Sequence, residues 1–184
     1  GWSVDGVDPS AEACAVARGR GIDARQGVLE TLELPAEGYD AVIFSHSLEH
    51  VVDPRADLAR AHGLLRPGGR VIVTAPNWGS WQRRRFRSCW FALELPRHRT
   101  HFTRRGLRAA LEQAGFSEPR LATSSSFIGL CWSLQYRLLG RLWSDRGMRL
   151  WVGYAASAAL WPVAFVLDRL HGDGDFLHAS ARRR

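Results

Sequence analysis

Lysine is absent from this chain; all 25 basic residues are arginine. Together with abundant Ala and Gly, this reads most simply as coding bias in a GC-rich genome and carries no functional weight. Cysteine is scarce. Cys14, Cys89 and Cys131 are far apart and odd in number, which excludes a disulfide framework and a C-x-x-C metal pair, and points to a reducing, cytoplasmic setting. The chain opens at Gly1 inside a strand-like run, so a piece of a longer protein is expected and the lack of a secretory leader excludes nothing. No apolar run reaches the ~20 residues of a comfortable membrane span. The longest uncharged stretch, Leu150–Leu167, would reach about 27 Å as one helix, just short of a ~30 Å bilayer core.

What is present is an ordinary globular composition, 46% apolar over 184 residues, enough for one domain with a real core. The net charge of +7 is uneven. Residues 83–108 hold nine arginines against Glu94 alone, while the rest of the chain is nearly neutral. A single basic loop of this kind argues against a broad nucleic-acid surface, and no nucleic-acid partner is expected.

Along the chain, Trp2–Val7 alternates as a strand, and Ser10 can cap a helix over Ala11–Arg18. Asp23–Gln26 can form a short strand. Tyr39–Phe44 has almost no polar relief, as in a strand buried on both faces of a parallel sheet. Asp53-Pro54 opens a helix that Pro67-Gly68-Gly69 stops, and Arg70–Ala75 is another apolar strand. Strand and helix in alternation predict a parallel α/β sheet. Trp78–Phe102 lacks a period and is long for a connection, which marks it as functional. Thr103 caps a helix ending at Gly115, Phe116–Ser124 reads as a strand, 127–170 as Trp-rich helices, and Phe176–Ala181 as a last strand.

Four segments, in this order, resemble the class I S-adenosylmethionine-dependent methyltransferases that act on small molecules, near the quinone-biosynthesis type. They are GVDPS, YDAVIFSHSLEHVVDP, LLRPGGRVIVTAPN and LPRHRTHFT, with a weaker echo in GDGDFLHASAR. The resemblance implies a Rossmann-like, doubly wound, mostly parallel α/β sheet with an antiparallel last strand. Its first strand and glycine-rich cofactor loop are missing here. Residues 1–126 would form the core from the second strand onward, 127–170 an apolar helical cover, and 171–184 the last strand and tail. The acidic residue often found after the third strand is replaced by Val28.

The implied cofactor is S-adenosylmethionine. Asp8, at a strand's C-terminal end, suits the two ribose hydroxyls, although the same residue could simply open a D-P-S turn. Pro9 follows it, Val28 and Leu29 would lie along the adenine, and Leu29 could equally be a plain core residue. Ser45 and His46, beyond the fourth strand, would face the pocket. Ser-His-Ser-Leu at this place, in contrast to an N-P-P-Y type sequence, leans toward O- or C-methylation of a small, apolar acceptor. His50 and His46 are the candidate bases, since imidazole titrates near neutrality; a structural hydrogen bond at a helix start is the rival role for His50. Trp78, His98 and His101 are the candidate substrate contacts, and solvated loop histidines the rival. One carboxylate, Glu49, among histidines is thin ground for an ion, and no metal is expected.

The Arg83–Arg87 run, interleaved with aromatics, admits a membrane surface, an anionic substrate, plain solvation or nucleic acid, in that order of preference. The helices of 127–170 are expected to cover the acceptor and lie on a membrane surface without spanning it, at the inner face of the membrane. Two other classes remain open: a nicotinamide-dependent oxidoreductase, which would have parallel late strands, and a non-catalytic membrane-binding module. With the first strand absent, the strands flanking its place either stay apart or close up; direct pairing is expected because buried backbone groups resist going unpaired.

Overall fold

The computed structural model describes residues 1–184. Six strands and six α-helices alternate through most of the chain. Strand β1 (Asp5–Asp8) leads through Ser10, whose hydroxyl accepts from Ala13 N, into helix α1 (Ala11–Arg18), and β2 (Asp23–Gln26) runs parallel to β1. Then come β3 (Tyr39–Ser45), α2 (Pro54–Leu64) and β4 (Leu65–Pro76). Asp53 caps α2 by accepting from Arg55 N and Ala56 N, with Pro54 as the first helical residue.

β3 and β4 pair in parallel, and β6 (Phe176–Arg182) pairs antiparallel with both β4 and β5 (Ser117–Ser124). The larger sheet therefore runs β3-β4-β6-β5, and the smaller is β1-β2. The antiparallel β6 is what the methyltransferase resemblance implies and what the oxidoreductase alternative does not. The Pro67-Gly68-Gly69 turn is absorbed into β4 as an irregularity, with the register shifting between Tyr39 and Ala41. Gly69 fits because a Cβ there would come within 2.9 Å of the Arg66 carbonyl.

One face of the larger sheet carries the main core. Phe44, Val71, Val73, Leu177 and Ala179 meet Leu58 and Ala61 of α2 and Leu107 and Leu111 of α4 (Arg104–Gln113). The other face is open at β3. Ile43 is 63% exposed, which corrects the expectation of burial on both faces. The first strand is also shorter than Trp2–Val7, and Trp2 is exposed.

β1 and β3 do not pair, so the expected direct closure does not occur. The Tyr39 phenol instead donates to Asp5 Oδ2 at 2.7 Å across the interval. That side-chain bond leaves the facing backbone groups of the two strands without a ladder partner. In the family that the sequence resembles, the first strand lies between the second and the fourth; with β1 as that second strand and β3 as that fourth, the interval falls where the first would lie.

The remaining elements form a second layer. The segment after β4 contains α3 (Trp81–Phe86) and two short 3-10 turns, Arg87–Cys89 and Phe91–Leu93. With α5 (Gly129–Leu139) and α6 (Gly147–His171) it builds a smaller core around Trp81, Phe86, Trp90, Phe91, Leu130 and Ala164. Residues 127–170 are helical as expected. The aromatic stripe of α6, however, does not pack on the sheet: Trp151, Tyr154, Trp161 and Phe165 are exposed, while Gly153, Ser157, Ala164 and Asp168 face inward.

Candidate functional site

The C-terminal ends of the parallel β3 and β4 lie at one edge of the larger sheet, where ligands bind in open α/β folds, and β1 presents such an end on the smaller sheet. Asp8 ends β1 and is exposed. Its Oδ1 accepts Ser10 N at 2.7 Å, so the turn-forming role is real, and Oδ2 has no hydrogen-bond partner. Pro9 beside it is exposed, and its carbonyl accepts from Gln26 Nε2. Val28 is exposed and its carbonyl closes a turn onto Thr31. Leu29 is half-buried against the main core. An exposed carboxylate with a free oxygen, a nearby apolar side chain and the exposed Ser45 hydroxyl suit a ribose and an adenine.

Ser45 is the last residue of β3, in register with Thr74. The chain then turns sharply. His46 sits at φ 51°, in the left-handed region, while its N–H still donates to the Thr74 carbonyl. That conformation stands the imidazole against the edge of Phe176, with ring centroids 4.7 Å apart. Residues 47–50 form a turn, closed by His50 N–H donating to the Ser47 carbonyl, so His46 and His50 do not share a helix face.

A row of rings continues from there. His50 and His98 are 4.8 Å apart, His98 and His101 6.2 Å, and His101 and Trp78 4.5 Å. Three of the expected substrate contacts and one candidate base are thereby brought together. Backbone bonds hold them: Arg99 N and Thr100 N both donate to the Glu49 carbonyl, and Trp78 N donates to the Phe102 carbonyl. His98 is buried, and desolvation pushes its imidazole below the usual range, so it is neutral near pH 7. The Arg83 guanidinium lies 3.8 Å above the Trp78 ring.

Sequence reasoning set Glu49 aside as thin ground for an ion and gave Phe91 and Phe176 no place in the site. Glu49 is 1% exposed and 3.5 Å from His46 Nδ1. Phe91 and Phe176 form an apolar wall continuous with Trp132. The burial of Glu49 could not be read from L-E-H, because it depends on the loop that folds back onto it, and the two phenylalanines gave no signal. All three cysteines are free thiols. Asp8 ends a strand of the smaller sheet, and Pro9 and Val28 follow its two strands, outside the ring cluster.

Comparison with known proteins completes this picture. Residues 1–117 match a family model described as a methyltransferase domain. A ubiquinone biosynthesis O-methyltransferase of a Bradyrhizobium strain is 37% identical over 89 residues, covering 44% of this chain and 35% of that protein. The corresponding enzyme of Pseudomonas aeruginosa is 36% identical over 85 residues, 42% of this chain and 36% of the relative. These matches thus span about a third of the curated relatives' length. A Thermotoga maritima structure, described as a possible histamine N-methyltransferase, has a TM-score of 0.65 at 19% identity over 97% of this chain and 72% of its own. A Mesorhizobium loti methyltransferase has a TM-score of 0.60 at 20% identity, over 100% of this chain and 82% of its own. With the family model covering more than half of it, the chain belongs to the class I S-adenosylmethionine-dependent methyltransferases.

Proposed function

We propose that the protein transfers a methyl group to an oxygen of a small, largely apolar acceptor, with His46 taking the proton. The observation that carries this reading is the placement of His46. It is turned out of β3 by its left-handed backbone, exposed, and set against Phe176 in the apolar wall of Phe91 and Trp132. When bound, S-adenosylmethionine supplies an electrophilic methyl on sulfur. The residues of this chain bind and orient: Asp8 accepts from the ribose hydroxyls, Leu29 and the backbone near Val28 lie along the adenine, and Ser45 lines the passage. Methyl transfer is an in-line displacement, so alignment of acceptor and methyl group matters more than any strong catalyst. Trp78 and His101 bound the acceptor, and His46 receives the hydroxyl proton as the oxygen bonds to carbon. Attack by an acceptor carbon would use the same wall and the same base.

The test is calorimetric titration of S-adenosylmethionine into the full-length protein. Asp8→Ala should cost on the order of 2–4 kcal/mol of binding, the upper range for bonds to a charged acceptor. Unchanged affinity removes Asp8 from the site. His46→Ala should leave cofactor affinity intact and abolish turnover.

The exposed aromatic stripe of α6 supports a second element of this reading, a membrane surface as the source of the apolar acceptor. At 25 residues the helix is about 37 Å long, yet Pro162 interrupts its bonding and Gly153 and Ser157 are committed to the protein side. Arg137, Arg141, Arg146 and Arg149 gather toward the α5–α6 turn, as anionic head groups would require. Vesicles of anionic lipid should retain the protein and alkaline carbonate should release it. Resistance to carbonate would mean a span, and no retention a simple cover.

A further inference from the structure

We propose that Glu49, His50 and His98 form a binding site for a divalent cation of the zinc class, which clamps the turn after β3 to the loop that carries the acceptor contacts. One ligand atom from each of the three side chains lies within 4.8 Å of the others. The chemistry of those atoms decides the case. Glu49 is 1% exposed, and neither carboxylate oxygen has a hydrogen-bond partner. A buried carboxylate without donors is costly and is ordinarily paired with a cation or bound to a metal.

His46 Nδ1 stands 3.5 Å from Oε1 without forming a hydrogen bond, and His50 and His98 turn their Nδ1 atoms elsewhere. His98 Nδ1 lies 2.8 Å from the Ala92 carbonyl, and His50 Nδ1 lies 3.0 Å from the Arg97 carbonyl. A carbonyl can only accept, so in each neutral ring the proton sits on Nδ1. Nε2 of each ring is then the atom free to ligate, next to a carboxylate with no hydrogen-bond partner. A divalent cation would satisfy all three groups at once, where the His46 imidazole reaches only one carboxylate oxygen. Donation of the distal nitrogen to a backbone carbonyl is also how metal-binding histidines are held in the right tautomer.

The donor set selects the ion. Two imidazoles and one carboxylate suit zinc and its neighbours; magnesium and calcium prefer oxygen throughout. Ligand atoms around a tetrahedral zinc are roughly 3.3–3.5 Å apart, so side-chain rotation of under about 1.5 Å closes the site. The Glu94 carboxylate, 3.8 Å from His98 Nε2, stands where a fourth ligand could come from. Glu49 and His50 come from one turn and His98 from the segment after β4, already tied by the two backbone bonds to the Glu49 carbonyl. An ion there would fix His98, and through it His101 and Trp78, relative to β3.

This inference does not depend on methyl transfer, and its test needs no cofactor. Metal-free full-length protein is titrated with zinc against a chromophoric chelator, and with cobalt while the visible spectrum is recorded. The expected result is one ion per chain and the intense absorption of a tetrahedral cobalt site. His98→Ala and His50→Gln should each weaken zinc binding at least about tenfold, the scale at which even supporting shells matter. Glu49→Gln should do the same if it folds; circular dichroism checks each variant. His101→Ala, outside the triad, should bind zinc normally. Substoichiometric binding, a weak octahedral cobalt spectrum, or full affinity in His98→Ala would each overturn the proposal.

Discussion

Asp175 has no contact with water. Burial pushes its carboxyl up to about 7, and the neighbouring Asp168 pushes in the same direction, against the Ser126 N–H that donates to Oδ1 at 2.5 Å. The folded protein thus holds a proton that the unfolded chain, with an ordinary carboxyl near 4, has already released. Stability should fall as pH rises from about 4 to 7 and level off above, the sign set by the folded state binding more protons. Asp57, buried and raised to about 6, adds a fall of the same sign ending lower. Melting temperatures of Asp175→Asn should lose the part of the decline between pH 6 and 7 and keep the Asp57 part. A wild-type slope in the variant would show that Asp175 is ionised after all. None of this was legible in G-D-G-D-F, because burial of a turn aspartate depends on what folds over it. The ring cluster behaves likewise. His50 and His98 are 48 positions apart in sequence, and only the return of the loop onto the Glu49 carbonyl joins them. Asp8, Ser45 and His46 were legible because they follow strands directly, and strand ends are where such folds put their ligands.

Helices and strands were read with more success, for local reasons. Ser10, Asp53 and Thr103 each cap the helix that their side chains announced. The strands ran true except at their ends: β3 gained Ser45, and β4 swallowed the Pro67-Gly68-Gly69 turn. The segment 78–102 gave no period because it contains only one short α-helix and two 3-10 turns, each anchored by aromatics that pack on α5. In the helical pair, sequence showed an apolar stripe without showing which stripe faces inward. The small-residue face does. A Cβ on Gly153 would come within 2.3 Å of Ser144 Cβ, a distance no packing tolerates. Gly153→Val should therefore destabilise the α5–α6 contact by about 1–3 kcal/mol, as overpacking does, despite the better helix propensity of valine. Urea unfolding followed by tryptophan fluorescence checks it. A gain in stability would mean that Ser144 and its loop yield freely.

At the scale of the molecule the interval between β1 and β3 dominates. The backbone edge of β3 facing β1 is unladdered, and the side chain of Ile43 stands exposed beside it. Such an edge invites pairing with a second chain. Residues 1–184 on their own should associate with rising concentration, and Ile43→Lys should suppress this in light scattering without loss of secondary structure. Equal association of the two would locate the contact elsewhere, with the aromatic stripe of α6 the next place to look. The sequence predicted that interval from strand order but favoured its closure; the larger sheet, already anchored by α2 and α4, had no reason to move.

The same interval divides the molecule's cooperativity. β1, α1 and β2 pack on one another, with Cys14 and Ala24 as their own buried pair, outside both larger cores. Their ties to the rest are the Tyr39–Asp5 bond and the connecting segment, where Leu29 packs on the main core, Arg60 reaches the Leu32 carbonyl, and Glu37 is held by the Gly63 carbonyl and Arg183. A unit so lightly fastened unfolds by itself before the body melts. Amide protons of residues 5–26 should then exchange with solvent far faster than those of β4 and β6. Calorimetry on residues 1–184 should return a van't Hoff enthalpy smaller than the heat absorbed.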